Sequence, residues 1–189
     1  MSQSIEIEFK NLLTKNEYEQ LLHSLSYEQM TFQHKNHYFD TEHYTLQNNR
    51  VALRIRETDS QFILTLKEPV TVGSLETTEI IDQAMADNWI NNNAQFTPTI
   101  AKQLNLYNIT AETLKYYGFL KTHRTLYKVN DEIVIALDHS FYHHLDDYEL
   151  EVEGSTESET KQFFQSLLKD YNIKNKYTTP KIQRFFAHL

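Results

Sequence analysis

Apolar and polar residues alternate along several stretches of the chain, and a period of two residues is typical of β-strands with one buried face. Eight stretches with strand character follow one another: residues 4–11, 34–40, 50–57, 61–68, 75–82, 119–130, 132–141 and 147–154. Two of them flank Asp59 and Ser60, which predicts a hairpin at that point. The pattern as a whole predicts about eight strands that are mostly antiparallel.

Apolar residues at helical spacing follow two capping-box sequences. Thr14 with Glu17, and again Thr156 with Glu159, have the spacing that satisfies the first free N–H groups of a helix. Pro180 is placed to begin a short helix near the C-terminus. We therefore expect helices to start at these three points.

Between residues 84 and 117 the spacing of apolar residues is helical, and Pro98 suits the first position of a helix. Gly118 is predicted to end this region. The chain contains no internal repeat, low-complexity tract or linker. We therefore predict that residues 1–189 form one α+β domain with helices outside a mostly antiparallel sheet.

Charged residues occupy alternate positions in four predicted strands, so they share one face of each strand. In the first strand Glu6, Glu8 and Lys10 point to one side, whereas Ile5 and Ile7 point to the other. The later charged faces carry Arg54 and Arg56, Thr65 and Lys67, and Glu149, Glu151 and Glu153. A sheet with one solvated face explains any single strand, but like charges in a row repel one another unless counter-ions offset them.

A closed barrel with its charged faces inward accounts for all four strands together. The apolar faces would then pack against the outer helices, and an eight-stranded barrel has room for one small ligand. We therefore predict an α+β fold built on an eight-stranded antiparallel β-barrel, a tunnel with a charged interior. Such a tunnel would hold a multiply charged anion beside divalent cations.

The basic residues of this pattern form the predicted anion-binding set. Its members are Lys10, Arg54, Arg56, Lys67, Lys121, Arg124, Lys181 and Arg184. Lys181 and Arg184 are three residues apart and share a helix face. A regular strand places Lys121 and Arg124 on opposite faces, so either a bulge intervenes or only one of them faces inward.

The acidic residues form the predicted metal-binding and catalytic set. Its members are Glu6, Glu8, Glu151 and Glu153, with Glu149 and Asp138 as second choices for the metal and Glu79 as a further tunnel acid. Glu76 and Glu79 point to opposite faces of their strand, and we favour Glu79. We favour Glu151 and Glu153 over Glu149 because they are nearest to Gly154. Carboxylates without a cysteine partner favour Mg²⁺ or Mn²⁺ over Zn²⁺.

Composition narrows the classes of protein further. The net charge of −8 argues against a general nucleic-acid-binding protein. The absence of cysteine excludes disulfides and thiolate zinc sites, and none of the three glycines lies in a phosphate-binding loop. No apolar stretch approaches the ~18 residues that span a bilayer, and no secretory signal is present. We therefore expect a cytoplasmic protein with no membrane partner.

The histidines between two late strands suggest an alternative metal site. His139, His143 and His144 lie close in sequence to Asp146 and Asp147. Adjacent histidines cannot both point the same way on a strand, and this segment has the character of a loop. We therefore favour a solvated connection between the strands.

The sequence motifs resemble those of a known family. Glu6-x-Glu8-x-Lys10 is similar to the E-x-E-x-K signature of the CYTH proteins, also called triphosphate tunnel metalloenzymes. The later landmarks fall in order: Tyr38-Phe39-Asp40-Thr41, Leu53-Arg54-Ile55-Arg56, Leu64-Thr65-Leu66-Lys67, Leu137-Asp138 and Glu149-Leu150-Glu151-Val152-Glu153. The similarity covers nearly the whole chain, and the layout most resembles the short YjbK-like bacterial branch.

This resemblance implies a tunnel that binds a small triphosphate together with two Mg²⁺ or Mn²⁺ ions. The substrate would be inorganic tripolyphosphate or an organic triphosphate, such as thiamine triphosphate or a nucleotide, and hydrolysis would release its terminal phosphate. The implied metal ligands are Glu6, Glu8, Glu151 and Glu153, and the implied phosphate ligands are Lys10, Arg54, Arg56, Lys67, Arg124, Lys181 and Arg184. One metal would bridge the phosphates, and the other would activate a water molecule.

Two other functions are compatible with the same residues. One is an adenylate cyclase similar to class IV, and the other is a non-catalytic sensor that binds a triphosphate or polyphosphate. In each case we expect a small-molecule partner and no nucleic acid. The protein would be a monomer or a homodimer.

Overall fold

The computed structural model describes residues 2–176 and 178–189. Its strands are β1 (Ser2–Leu13), β2 (Glu28–Thr41), β3 (Ala52–Glu57), β4 (Phe62–Pro69), β5 (Ser74–Ile81), β6 (Leu114–Lys128), β7 (Ile133–Tyr142) and β8 (Leu145–Gly154). Its helices are α1 (Lys15–Ser24), α2 (Thr45–Asn48), α3 (Gln83–Ile90), α4 (Pro98–Leu104), α5 (Glu157–Asp170) and α6 (Lys181–Phe186). Within those residues no helix has both the length and the hydrophobicity needed to cross a membrane.

The strands form one closed sheet. Their order is β1-β5-β4-β3-β2-β6-β7-β8, and β8 pairs with β1 to complete the circuit. The pairs β1–β8, β2–β3, β3–β4, β4–β5, β6–β7 and β7–β8 are all antiparallel. The closed eight-stranded barrel, with its helices outside, confirms the predicted fold class.

Threonine side chains cap two of the three predicted helix starts, and the third helix, α6, begins directly after Pro180 without a side-chain cap. The hydroxyl of Thr14 accepts a hydrogen bond from the N–H of Glu17, whose carboxylate accepts one from the N–H of Thr14 in return. Thr156 caps α5 by accepting from the N–H of Glu159, and its hydroxyl donates to the Glu159 carboxylate. Pro98 occupies the first turn of α4 as expected. These caps satisfy donors that the helices themselves leave free.

The prediction for residues 84–117 was wrong in one respect. The segment contains α3 and α4, but β6 already begins at Leu114, ahead of Gly118. Gly118 lies inside the strand with a φ of 120°, a conformation that glycine adopts at little steric cost. Tyr116 and Tyr117 thus belong to the strand, where aromatic side chains are favoured.

The chain forms two compact units, each with its own hydrophobic core. The first comprises the described residues up to Ile5 together with His34–Leu120. In its core Leu53 of β3 and Leu64 of β4, both fully buried, pack in one cluster with Trp89 of α3. Because side chains alternate along a strand, the arginines of β3 lie on the face opposite this core.

The second unit comprises Glu6–Gln33 and Lys121–Leu189. Its core contains Leu150 of β8, Leu21 of α1 and Phe164 of α5 in one cluster. The helices therefore cover the apolar face of these strands. The charged residues at the alternate positions of β1, β7 and β8 lie on the other face.

Candidate functional site

Three carboxylates from β1 and β8 meet on the charged face of the second unit. Glu8 and Glu153 lie directly opposite each other in the β1–β8 register, and Glu6 is the preceding same-face residue of β1. One carboxylate oxygen from each of the three lies within 4.8 Å of the others. All three side chains are partly buried, so water screens their mutual repulsion only in part.

This acidic cluster fits a divalent cation. Burial raises the pKa of Glu153 to about 7, although Arg124 opposes the shift, and Glu151, Glu6 and Glu8 raise it further. A cation bound between the carboxylates would remove that repulsion and favour their ionised forms. The donors are all carboxylate oxygens, which suit Mg²⁺ or Mn²⁺.

Lys10 lies beside this cluster on the same face of β1. Its Nζ is 2.6 Å from Glu8 Oε1 and 3.8 Å from Glu151 Oε1. Burial alone would lower the pKa of Lys10, but Glu8 and Glu151 more than compensate and raise it above its ordinary value. The side chain therefore remains a cation at neutral pH.

A second group of carboxylates lies along β7 and β8. Asp138 is opposite Glu149 in the register, and Glu151 follows on the same face. Their side chains are almost completely inaccessible to solvent. Lys181 Nζ of α6 lies 2.7 Å from Asp138 Oδ2, 2.6 Å from Glu149 Oε1 and 2.7 Å from Glu151 Oε1. One ammonium group thus neutralises part of the charge of all three.

Arg124 of β6 binds the same group from its own strand. Its guanidinium donates two hydrogen bonds to Asp138 and a third to Glu151 at 2.5 Å. The β6–β7 register runs without interruption from Lys121 opposite Phe141 to Lys128 opposite Val134, so no bulge intervenes. Arg124 therefore joins the carboxylates, and Lys121 lies on the opposite face.

Ion pairing gives the buried carboxylates different pKa values. Burial would raise the pKa of Glu151, but Lys181, Arg124 and Lys10 hold it well below its usual range. Asp138 likewise has a lowered pKa because Arg124 and Lys181 outweigh its burial. Burial raises the pKa of Glu149 to about 7, against the opposing charge of Lys181. Glu149 is therefore the member of this group that protonates most readily.

Arg184 anchors α6 to β8. Its Nε donates to Asp147 Oδ2 at 2.9 Å, and its Nη1 donates to the carbonyl of Thr179 at 2.5 Å. Its Nη2 is 2.6 Å from Glu149 Oε2. Asp147 was not among the predicted site residues, since a single sequence does not show which strand residue faces a helix that follows much later.

The predicted basic residues of the first unit share one face of β3 and β4. Arg54 Nη2 is 3.4 Å and Lys67 Nζ 3.5 Å from Glu76 Oε1. Arg56 Nε donates to Asn36 Oδ1 at 3.2 Å. Arg54 and Lys67 therefore share Glu76 as a partner, and Arg56 contacts Asn36 on the neighbouring strand β2.

The structure places Glu76, rather than the favoured Glu79, beside these cations. Glu76 lies opposite Lys67 in the β4–β5 register, whereas Glu79 lies opposite Leu64, which belongs to the hydrophobic core. The two glutamates are three residues apart, so they occupy opposite faces of a regular strand. Only the strand register, which one sequence does not reveal, distinguishes them.

The histidines near the β7–β8 turn serve other contacts. His139 Nε2 is 2.7 Å from Asp146 Oδ2, and its ring stacks on Tyr148 with a centroid distance of 4.2 Å. His143 has a φ of 52° in the turn and its Nε2 lies 3.1 Å from the carbonyl of Phe185. Among the described residues, no histidine belongs to a group of three side chains whose ligand atoms all lie within 4.8 Å of one another, as those of Glu6, Glu8 and Glu153 do.

Comparisons with known proteins agree with this geometry. The model of the CYTH domain family matches residues 4–186. The chain is 38% identical over 190 residues to YjbK of Bacillus subtilis (strain 168), provisionally named a triphosphatase, with 98% of this chain and 96% of the relative covered.

Solved structures give the same result. A protein of Bacillus halodurans, provisionally named an adenylate cyclase, is 34% identical with a TM-score of 0.89, covering 98% of this chain and all of its own. HpAC1 from Hippeastrum, described as having a dominant triphosphatase activity, shares the fold with a TM-score of 0.82 at 22% identity, covering 97% of this chain and 96% of its own. The closed barrel, its charged face and the family match over nearly the whole chain agree, and the protein belongs to the CYTH family.

Proposed function

We propose that this protein is a divalent-metal-dependent triphosphatase that releases the terminal phosphate of a small triphosphate. The observation that carries the proposal is the convergence of Glu6, Glu8 and Glu153 within 4.8 Å, beside the cationic Lys10. Carboxylates next to a cation suit a metal-bound phosphate chain, since each charge of the ligand then meets its opposite. Membership of the CYTH family implies dependence on a divalent metal and supports this assignment.

The acidic cluster would hold Mg²⁺ or Mn²⁺. When bound, such an ion polarises phosphate oxygens and lowers the pKa of a coordinated water molecule. Glu6, Glu8 and Glu153 supply the ligand oxygens. We assign Glu149, Glu151 and Asp138, the remaining predicted metal ligands, to a second cation.

The basic residues would bind and neutralise the phosphate chain. Lys10 and Arg124 lie next to the acidic residues of the second unit, where they can compensate charge that develops on a leaving phosphate. In the first unit we assign phosphate binding to Arg54, Arg56 and Lys67. Arginine offers forked donors to phosphate oxygens, and lysine a compact charge.

The substrate is a small molecule that carries a triphosphate. The proposal includes inorganic tripolyphosphate and organic triphosphates such as thiamine triphosphate or a nucleotide. The provisional name of the Bacillus subtilis relative supports a triphosphatase, and that of the Bacillus halodurans protein keeps adenylate cyclase as the second candidate. Both reactions need a metal-bound triphosphate, so their products distinguish them.

The test is phosphate release from tripolyphosphate and from a panel of organic triphosphates with Mg²⁺ or Mn²⁺. Glu6→Gln and Glu153→Gln each remove a metal ligand and should lower kcat/KM by roughly 100-fold, on the order of what a lost catalytic ligand costs. Glu132→Gln changes an exposed residue before β7 and should leave the rate unchanged. Full turnover in both site variants would refute the proposed mechanism.

The same panel separates the alternatives. Cyclic AMP formed from ATP, in place of released phosphate, would identify a cyclase. Calorimetric binding of triphosphates with no turnover under any metal would identify a sensor. Either result would overturn the proposed hydrolysis while retaining the metal cluster.

A further inference from the structure

Lys181 occupies the centre of the second carboxylate group. Its ammonium lies 2.6 to 2.7 Å from oxygens of Asp138, Glu149 and Glu151. The lysine side chain is 11% exposed, and the three carboxylate side chains are between 0 and 6% exposed. The ammonium donates hydrogen bonds to Glu149 and Glu151 and forms an ion pair with Asp138, so all three of these contacts are with carboxylates.

Lys181 therefore cannot bind a phosphate without leaving these partners. Without Lys181, fewer cations would neutralise these buried carboxylates. An uncompensated buried charge is strongly unfavourable. Arg124 would remain with Asp138 and Glu151, and Arg184 would remain with Glu149. A divalent cation bound to the same oxygens would restore the positive charge that Lys181 takes away.

We propose that Lys181 is an exchangeable internal counter-ion, which a divalent cation displaces from Asp138, Glu149 and Glu151 and thereby frees to bind phosphate. The inference rests on the proposed function, because it assigns these carboxylates to the second cation. The docked ammonium and that cation are mutually exclusive, since both require the same oxygens. Binding of metal and of triphosphate is then coupled, and the coupling is reciprocal.

The other cations of this region are less suited to exchange. Arg124 is fixed by two parallel hydrogen bonds to Asp138, and Arg184 by Asp147 and the Thr179 carbonyl. Lysine has a flexible stem and a single compact charge, which can move without loss of a forked geometry. Arg184 lies one turn along α6 from Lys181, so it holds the helix in place while the lysine changes partner.

The test measures Mn²⁺ binding to the full chain without triphosphate, by the electron paramagnetic resonance signal of free Mn²⁺. The wild type should bind one ion at Glu6, Glu8 and Glu153 and a second only weakly. Lys181→Met removes the competing charge and should tighten the second site by about tenfold, within the usual range of coupling between sites. Lys161→Met, on the exposed side of α5, is the matched control and should change neither site.

A second measurement uses the wild-type protein, so it does not depend on whether a variant folds. In wild-type protein with ¹⁵N-labelled lysine, a buried ammonium gives a slowly exchanging NMR signal, which Mg²⁺ should shift or abolish as the second site fills. A signal that persists unchanged through saturation of both sites would overturn the proposal. So would a Lys181→Met variant that folds normally and binds the second Mn²⁺ no more tightly.

These measurements can contradict the counter-ion proposal without contradicting the proposed function. Glu6→Gln removes the first cation site and the activity, but it leaves Asp138, Glu149 and Glu151 intact. Mg²⁺ should therefore still displace Lys181 in that inactive variant. An enzyme that loses activity on Glu6→Gln but never releases Lys181 would refute the counter-ion and retain the triphosphatase.

Discussion

The guanidinium of Arg124 donates two parallel hydrogen bonds to the carboxylate of Asp138, with Nε–Oδ1 and Nη2–Oδ2 distances of 2.7 and 2.6 Å. The side chain of Arg124 is 11% exposed and that of Asp138 is fully buried. Forked pairs of this kind combine charge with fixed geometry. The pair therefore stabilises the fold and also forms part of the candidate site.

Removing the charge of Arg124 should destabilise the protein. Arg124→Met leaves Asp138 with Lys181 alone and should lower the free energy of unfolding by about 3–5 kcal/mol, as for other broken buried pairs. Arg124→Lys keeps the charge but loses the fork, so its loss should be smaller. Urea denaturation followed by circular dichroism measures both. Equal losses in the two variants would show that geometry, and not charge, is what Asp138 requires.

Asp40 should be necessary for the turn that leads into β3. Its buried carboxylate accepts hydrogen bonds from the backbone N–H groups of Thr41, Leu46 and Gln47. Asp40→Ala removes the acceptor of all three hydrogen bonds and should cost about 2–3 kcal/mol of unfolding free energy, since unsatisfied buried donors are expensive. Asp59→Asn in the exposed β3–β4 turn is the control for denaturation, and a similar loss there would contradict the assignment.

Gly154 allows the first turn of α5 to lie against the end of β8. A Cβ added at Gly154 would overlap with Oγ1 of Thr160, which is itself fully buried. Gly154→Ala should therefore lower the free energy of unfolding by about 1–3 kcal/mol, as overpacking does. It should also weaken Mn²⁺ binding, because Glu153 precedes it in the strand.

Thr160→Ala provides the matched background for this test. It removes the overlapping hydroxyl, so Gly154→Ala should cost less in the double variant than alone. Thermal unfolding and Mn²⁺ titration of the four proteins measure the coupling. Strictly additive losses would show that Thr160 is not the residue that excludes a side chain at position 154.

The pH dependence of stability should depend on His37. Burial lowers the pKa of His37, with a smaller opposing effect from Glu57, so the folded protein keeps the imidazole neutral. Nε2 then donates to Glu57 at 2.8 Å and Nδ1 accepts from the Tyr116 hydroxyl at 2.9 Å. Because the unfolded chain binds the proton more readily, this stability is present above pH 6.5 and is lost as the pH falls through the lowered pKa.

The expected slope below pH 6.5 is up to about 1.4 kcal/mol per pH unit for one proton. Glu57 acts in the same direction at lower pH, because His37 and Lys35 lower its pKa despite burial. His37→Gln should flatten the profile between pH 6.5 and 5, and the exposed His43→Gln should not. The midpoints of urea denaturation, measured across that pH range, test this prediction. An unchanged slope in His37→Gln would show that this histidine is not the source of the pH dependence.

The faces of the strands were predictable from the sequence because a strand's pleat alternates side chains regardless of context. Glu8 and Lys10 share a face as expected, and Arg54 shares one with Lys67 through their common partner Glu76. Closure of the sheet followed from the need to neutralise these faces. The capping boxes were predictable for a similar reason, since they involve residues close in sequence.

Contacts that depend on the strand register were not predictable. Glu76 and Glu79 are equivalent in the sequence, and only the pairing of Lys67 with Glu76 places one of them beside Arg54. Near the early start of β6, the backbone N–H of Tyr116 donates to Asn92 Oδ1, a contact between residues 24 positions apart in the sequence. The three carboxylates around Lys181 likewise come from two paired strands, β7 and β8, and the lysine comes from α6. The roles assigned to these residues in catalysis remain predictions.

The pairing of charges within the candidate site has a consequence for how a substrate reaches it. In the second unit, the charges of five paired acids, Glu8, Asp138, Asp147, Glu149 and Glu151, nearly cancel those of Lys10, Arg124, Lys181 and Arg184. Most of the net charge of −8 therefore belongs to the rest of the protein. This excess of negative charge repels a polyanion in solution over roughly one Debye length, about 8 Å at physiological ionic strength. Added salt should raise its association rate, opposite to the behaviour of an anion-binding protein whose outer surface is basic.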